Sequence, residues 1–325
     1  MFKFMKGCAI TAAVLCLLGL LLVIAGGTAR GSQAIAEVVE KVTGGRVSVN
    51  FEDVEDWGVT IADVIDSGAC YEISENEYYI FQDTNEIYKG DVPKYCLGAD
   101  IENLDIEVGG CIFETRPSSD DNFYIEVKKA YKFQGYVEDA TLYIRASNGA
   151  KTWNKMGSCT ITLYVPEDFM FGTVDMEMGA GVLEYSDLRA GEWISLAVGA
   201  GQIVIDNIQS LELEIEIGAG EIQLKDMQVW AELDAEIGVG NFEARGTISG
   251  EADIKCSMGN VALTLLGSER NYNYTIECAM GNIDIGDHNY SGLSKETSID
   301  NGAGSDIDIS CAMGNVSVSF EDDTW

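Results

Sequence analysis

A short cassette centred on glycine recurs seven times in the C-terminal half of the chain. Successive central glycines are 20, 19, 20, 19, 22 and 33 positions apart, so an insertion of about a dozen residues, 286–303, precedes the last copy. A fixed period near twenty is typical of a solenoid, whose coils bury their apolar faces only when neighbours stack on them. The copies are MGAGVLEY around Gly181, VGAGQIVI around Gly201, IGAGEIQL around Gly220, IGVGNFEA around Gly240, CSMGNVAL around Gly259, CAMGNIDI around Gly281 and CAMGNVSV around Gly314.

The coils are predicted to consist of β-strands. Residues 211–217 (LELEIEI) and 231–237 (AELDAEI) alternate apolar and polar side chains with period two, which places one set on each face of a strand. Alignment on the central glycine gives two apolar columns that we expect to point inward. The column three residues before the glycine is Met178, Val198, Ile217, Ile237, Cys256, Cys278 and Cys311, and the column two residues after it is Leu183, Ile203, Ile222, Phe242, Val261, Ile283 and Val316.

The glycine itself is predicted to form a corner between two strands, either through a positive φ or through close approach of a neighbouring backbone. The same position in every coil argues against a phosphate-binding loop, which occurs once and opens a helix. Asn241, Asn260, Asn282 and Asn315 follow the glycine in four coils, and stacked amides are expected to bond along the array.

Composition limits the class of protein. The chain has 325 residues, 46% of them hydrophobic, with 36 glycines against 3 prolines, which fits an ordered protein rich in strands and turns. Its 54 acidic and 20 basic residues give a formal charge of −34, which argues against binding nucleic acid or anionic lipid surfaces and leaves cations or cationic partners open.

The N-terminus predicts a membrane segment. The stretch from Cys8 to Gly27 is interrupted only by Thr11, and twenty helical residues span about 30 Å, the thickness of a bilayer core. We expect an uncleaved single-pass anchor in the plasma membrane with the C-terminal part extracytoplasmic; a cleaved signal peptide is the alternative. The predicted domains are an anchor with a short cytoplasmic tail at 1–29, an acidic linker or N-terminal cap at 30–98, and an all-β, parallel β-solenoid at 99–325, its first coils irregular.

The order of several motifs resembles the bacterial putative-adhesin family, a β-strand-repeat domain of unknown function. The motifs are LDIEVGG, TLYI, ITLYVPEDF, several GAG cassettes, NYNYTIECAMGNIDI and IDISCAMGNVSV, over roughly residues 99–320. The resemblance implies a β-solenoid-like fold on a cell-surface or envelope protein, and it brings no catalytic residues with it.

Outward positions of three coils form a grid of acids. Glu212, Glu214 and Glu216 precede Gly220, Glu232, Asp234 and Glu236 precede Gly240, and Glu251, Asp253 and Lys255 precede Gly259. Carboxylates about 4.8 Å apart repel by roughly 0.9 kcal/mol even in water. The grid is interpreted as a solvated face, or as a site for divalent cations such as calcium or for a basic partner, with Glu214, Glu216, Asp234 and Glu236 as the central ligands. The segment NGAGSDIDI at 301–309 is a weaker calcium motif and is predicted to be an ordinary turn.

No pattern of catalytic residues stands out. The single histidine, His288, is not accompanied by a nucleophile motif, and no Cys-x-x-Cys pair suggests zinc. Cys256, Cys278 and Cys311 share an inward column and are expected to be buried free thiols, although neighbouring coils would hold them within disulfide reach.

The sequence therefore predicts a non-catalytic binding, adhesion or structural module of the cell envelope. Two alternatives are a carbohydrate-active enzyme on the same scaffold and an envelope-stress sensor acting through a membrane partner. Self-association end to end is expected through an exposed strand edge at Val316–Phe320.

Overall fold

The computed structural model describes residues 90–130, 133–147, 159–290 and 295–321, nearly all of them in β-strands or the turns between them. The predicted anchor at 1–29 and most of the predicted linker or cap at 30–98 lie outside these residues. Among the residues described, no helix has the length and apolar character needed to cross a membrane.

Each coil contributes one strand to each of two arrays. Strands that lead toward a glycine corner form what we call the front sheet, and strands that lead away from it form the back sheet. The front sheet contains β2 (Asn103–Gly109), β5 (Phe133–Glu138), β6 (Thr141–Ser147), β8 (Val174–Met178), β10 (Trp193–Val198), β14 (Glu251–Cys256), β16 (Tyr272–Cys278), β19 (Lys295–Ile299) and β20 (Ser305–Cys311). The back sheet contains β1 (Gly90–Gly98), β3 (Cys111–Pro117), β4 (Phe123–Ala130), β7 (Cys159–Val165), β9 (Gly181–Arg189), β13 (Asn241–Ile248), β15 (Asn260–Leu266), β17 (Asn282–Ile285), β18 (His288–Asn289) and β21 (Asn315–Glu321).

Two long strands, β11 (Gln202–Ile217) and β12 (Glu221–Ile237), begin in the back sheet and continue into the front sheet. A single turn of 3-10 helix, Glu269–Asn271, precedes β16. The all-β, solenoid-like fold predicted from the repeat is confirmed, and successive coils of the regular array pair in parallel.

The period-two pattern sorts side chains between core and surface. Every member of the two predicted inward columns is at most 3% exposed, from Leu183 at 0% to Cys311 at 3%. The inward residues of both sheets belong to one continuous apolar cluster. Burial of these columns is the main favourable term for stacking one coil on the next.

The glycine corner is explained by close approach of backbones. A Cβ added at Gly240 would lie 2.2 Å from the carbonyl oxygen of Gly220 and 2.3 Å from the Cγ2 atom of Ile217. Ordinary contact is about 3.4–4 Å, so no side chain fits there without displacing the neighbouring coil. Of the two reasons considered from sequence, room for a neighbour decides this position.

The amide ladder predicted along the corners is present for three of the four asparagines, whereas the Asn282 amide donates to Asp284 Oδ2 at 2.5 Å. The Asn260 amide donates to Asn241 Oδ1 at 3.0 Å, and the Asn315 amide donates to Asn260 Oδ1 at 2.9 Å. Asn315 therefore bonds to the coil of Gly259, from which it is separated in sequence by the whole coil of Gly281.

The spatial order of the coils departs from chain order at both ends. The last coil, β20 and β21, lies between β14 and β16 in the front sheet and between β15 and β17 in the back sheet. At the other end, β2 lies between β6 and β8, and β3 lies between β7 and β9. One coil near each terminus is therefore inserted between two others.

The outermost strands are antiparallel. β5 pairs with β6, and β4 pairs with both β7 and β1, at one end; β19 pairs with β16, and β18 pairs with β17, at the other. The expectation of irregular parallel coils at the start of the array is therefore wrong for β4 and β5, which pair antiparallel with their neighbours. β1 falls within the segment predicted as linker or cap.

The predicted exposed edge at Val316–Phe320 is also wrong for residues 316–318. Val316 and Val318 are paired with β15 on one side and with β17 on the other, and both side chains are buried. The chain after Ile285 is long enough to bring the last coil back into the array, so the final copy in sequence is not the final copy in space. Self-association of the chain stays a prediction, but residues 316–318 do not supply an exposed strand edge for it.

Candidate functional site

The outward face of the front sheet carries two rows of carboxylates, each interrupted once, which we call the acidic strip. They occupy the positions six and four residues before the glycine corner, where strand alternation directs side chains away from the core. The first row contains Asp105, Asp175, Glu214, Asp234, Asp253 and Asp308, and the second contains Glu107, Glu177, Glu216 and Glu236.

Strand register places these acids directly beside one another. Glu214 lies opposite Asp234, and Glu216 lies opposite Glu236. Asp234 in turn lies opposite Asp253, whose next neighbour is Asp308 of the inserted last coil. The grid predicted from sequence is thus assembled, and the insertion of β20 lengthens it.

A second group of acids, which the sequence interpretation missed, extends the strip toward the N-terminal coils. Asp105 lies opposite Asp175, and Glu107 lies opposite Glu177. The signal was present, because Asp175 and Glu177 stand six and four residues before Gly181. Asp105 and Glu107 were harder to find, because Cys111 occupies the position of the glycine in their coil.

One arginine neutralises the N-terminal end of the strip. Arg145 binds Asp105 through two hydrogen bonds, from Nη1 to Oδ1 at 2.6 Å and from Nη2 to Oδ2 at 2.8 Å. Its Nε lies 3.3 Å from Glu107 Oε2. A forked pair of this kind fixes geometry as well as charge. Burial nevertheless raises the pKa of Glu107, against the opposing effect of Arg145.

A lysine neutralises part of the other half. Lys255 Nζ lies 2.9 Å from Asp253 Oδ2, 3.4 Å from Glu236 Oε1 and 3.9 Å from Asp234 Oδ1. The last distance is too long for a hydrogen bond, and Asp234 Oδ1 is buried with no hydrogen-bond partner. Burial raises the pKa of Asp234, and Lys255 opposes that effect.

The centre of the strip has no cation of its own. Among the residues that the structure describes, Asp175, Glu177, Glu214 and Glu216 form no ion pair. Burial, followed by the charges of Glu107 and Asp175, raises the pKa of Glu177. Burial and neighbouring carboxylates, Glu214 first, likewise raise the pKa of Glu216.

Two small residues separate the halves of this centre. Ser195 stands between Asp175 and Glu214, and Ala197 stands between Glu177 and Glu216. The carboxylates on the two sides are two strand spacings apart, about 10 Å. We call this region the central gap. Trp193, 37% exposed, lies two residues before Ser195 on the same strand and the same face.

The carboxylates are spread along rows. Within the described ranges, no group of three or more His, Cys, Asp or Glu side chains is arranged to hold a metal ion. Only residues 301–304 of the 301–309 segment form the predicted turn, and the rest lies in β20. The turn is held by Asn273, whose Oδ1 accepts hydrogen bonds from the backbone amides of Asn301 and Ala303 at 2.9 and 3.1 Å. Calcium binding by Glu214, Glu216, Asp234 and Glu236 stays a prediction.

The sequence model of the family described as Toastrack DUF4097 matches residues 101–319. No curated protein matches the chain at a significant level.

Several solved bacterial structures are similar to the chain. One, described as a putative lipid binding protein from Parabacteroides distasonis, has 17% identity and a TM-score of 0.40, and the match covers 71% of this chain and 97% of that one. A structure described as a putative adhesin from Bacteroides fragilis has 17% identity and a TM-score of 0.37, with 72% and 99% covered. A structure described as a putative cell adhesion protein from Clostridium sporogenes has 12% identity and a TM-score of 0.31, with 72% and 100% covered.

Proposed function

Because the chain belongs to the Toastrack DUF4097 family, we propose that it is a non-catalytic binding module of the cell envelope whose acidic strip binds a cationic partner. Residues 8–27 anchor the chain in the plasma membrane, and the solenoid that follows them lies outside the cell. The family resemblance to putative adhesins and the formal charge of −34 both support this reading.

The observation that carries the proposal is the centre of the acidic strip, where Asp175 and Glu177 face Glu214 and Glu216 across the central gap without an ion pair among the described residues. Burial is the main cause that raises the pKa values of Asp175, Glu177 and Glu216, and the charge of Arg145 opposes it at Asp175 and Glu177. Bringing like charges together in a partly dehydrated site costs free energy. A bound cation would remove that cost, so we expect the centre of the acidic strip to bind positively charged groups.

The shape of the site favours a partner with spaced cationic groups. A Lys or Arg side chain entering the central gap would pass over Ala197 and place its charge between Glu177 and Glu216. Trp193 offers an aromatic surface beside the gap for a second cation. A flat double row matches the regular charge spacing of a basic protein segment or surface polymer better than it matches one dehydrated ion, although calcium remains the second candidate because its ligands are carboxylate oxygens.

A binding assay with oligolysine tests the proposal. We expect binding to the wild-type chain at low ionic strength, weakening as salt is added, and a several-fold weaker affinity for the Glu214→Gln/Glu216→Gln variant. The matched control, Glu184→Gln/Glu243→Gln, changes the net charge equally but on the back sheet. Equal loss of affinity in both variants would show that net charge alone drives binding, and the proposed site would be wrong.

Calcium is tested separately by thermal melting. A calcium-dependent rise in melting temperature that disappears when Glu214, Glu216, Asp234 and Glu236 are neutralised would support a cation site. A wild-type melting curve unchanged by calcium would remove calcium from the proposal and leave the basic partner.

The anchor is tested on cells that produce the full chain. We expect the protein to stay with membranes after alkaline extraction and the solenoid to be cleaved by protease added to intact cells. Release by alkaline extraction would overturn the anchor, and protection from external protease would overturn the orientation.

A further inference from the structure

Five buried cysteines are placed where coil order departs from chain order. Cys111, on the inserted strand β3, lies directly opposite Cys159 on β7. Cys311, on the inserted strand β20, lies opposite Cys256 on β14 and Cys278 on β16. All five are at most 3% exposed, and none of the five forms a disulfide in this structure.

The Cα spacing at these positions lies within the range of a disulfide, and the Cβ atoms need to approach by only a few tenths of an ångström. Neighbouring strands lie about 4.8 Å apart, and disulfides bridge Cα atoms about 4.4–6.8 Å apart. The members of each pair are in register on parallel strands, so both side chains leave the sheet on the same face. A cysteine there makes the same inward contact as the Ile or Val of other coils, and only cysteine can also bond to its neighbour.

In two pairs the neighbouring thiols influence each other's titration, Cys111 with Cys159 and Cys256 with Cys311. In each pair, the partner lowers the pKa of one thiol, Cys159 or Cys256. The partner and burial raise the pKa of the other, Cys111 or Cys311. The thiol with the lowered pKa is the better source of thiolate for exchange.

We propose that Cys111–Cys159 and Cys256–Cys311 are disulfide-forming sites that covalently fasten the two inserted coils to their neighbours. Each bond would join strands that are adjacent in space and separated by roughly 50 residues of chain. Cys278 stays a thiol because Cys311 forms only one bond. This inference is independent of the acidic strip.

The oxidant is a low-molecular-weight disulfide. The thiolate of Cys159 or Cys256 attacks one sulfur of the reagent, whose S–S bond breaks and whose other half leaves as a thiol after taking up a proton. The partner cysteine then loses its proton and attacks the mixed disulfide, which releases the second half. Two protein thiols are oxidised to one disulfide, and one molecule of reagent is reduced to two thiols.

Burial predicts when the reaction occurs. The five thiols have almost no solvent contact in the folded protein, so exchange requires an opening of the array or takes place before the inserted coils dock. We expect slow oxidation of the folded chain and much faster oxidation during refolding with the same reagent.

Peptide mapping of the full chain in detergent tests the proposal. Unfolded, reduced protein is refolded with oxidised glutathione, remaining thiols are alkylated, and the protein is digested without reductant. Two linked peptides are expected, one joining Cys111 to Cys159 and the other Cys256 to Cys311, with Cys278 alkylated. Complete alkylation of all five residues, or linkage of Cys311 to Cys278, would overturn the proposed bonds.

Serine variants give the matched comparison. Cys159→Ser should lose only the first linked peptide, Cys256→Ser only the second, and Cys278→Ser neither. The oxidised wild type should unfold at a higher urea concentration than the reduced protein, and added reductant should reverse the shift. An unchanged midpoint on formation of both bonds would show that the disulfides do not fasten the inserted coils.

Discussion

Replacing Gly240 by alanine should destabilise the array by an amount that the corner geometry determines. The new Cβ would lie 2.2 Å from Gly220 O, against ordinary contacts that begin near 3.4 Å, so the neighbouring corner must move by about 1.2 Å. That movement would lengthen the 3.0 Å hydrogen bond from Asn241 N to Gly220 O beyond a useful distance. Loss of one bond costs about 1 kcal/mol, and forced overpacking costs about 1–3 kcal/mol.

The substitution also lowers the conformational entropy of the unfolded chain, which stabilises the folded state by about 0.4–1 kcal/mol. The expected net loss in free energy of unfolding is therefore about 1–3 kcal/mol. Urea unfolding followed by far-UV circular dichroism measures it. Gly109→Ala is the control, because a Cβ there would have no heavy atom within 4 Å, and it should be neutral or slightly stabilising. If the two variants unfold at the same urea concentration, close backbone approach is not the reason for the glycine.

Three further predictions concern charge and the amide ladder. The raised pKa of Glu216 means that this carboxyl binds its proton more tightly in the folded chain than in the unfolded chain, so it should lower stability as pH rises above about 4.5. Glu216→Gln should flatten that part of a plot of urea midpoint against pH. A plot identical to that of the wild type would contradict the burial argument. Ala197→Lys should place a cation in the central gap, raise the free energy of unfolding at pH 7 by about 0.5 kcal/mol and weaken oligolysine binding; unchanged binding would move the proposed site elsewhere. Asn260→Ala removes two ladder hydrogen bonds at an exposed position and should cost about 1 kcal/mol in urea unfolding, whereas a neutral result would make the ladder incidental.

Much of the fold could be predicted because one repeat carries one strand pattern. The inward columns, the corner and the asparagine ladder all depend on residues within one coil or at equivalent positions of neighbouring coils. Ile217 and Asn260 are examples, because each has an equivalent residue in the next coil. The same logic places Glu214 opposite Asp234. These features follow from the alternation of side chains along each strand and from the stacking of equivalent residues in neighbouring coils.

Coil order could not be predicted in the same way. Cys256, Cys278 and Cys311 occupy equivalent positions in one column. Their coils therefore present the same apolar face and can pair with one another in the same register. Which coil stacks on which is decided by connection length and by the closing of the ends. The 33-residue spacing before Gly314 was the visible signal, because it supplies enough chain to pass over the coil of Gly281. Asp105 and Glu107 were missed for a related reason, since Cys111 stands where their coil would have the glycine.

The insertion of the final coil has a consequence for the time at which this part of the array can close. During synthesis the strands β14 and β16 emerge one after the other, and their shared neighbour β20 emerges only after both. The two earlier strands present matching apolar columns and could pair with each other while they wait. A chain that stops before residue 305 would therefore lack the strand between β14 and β16, so this part of the array closes only after β20 has been synthesised.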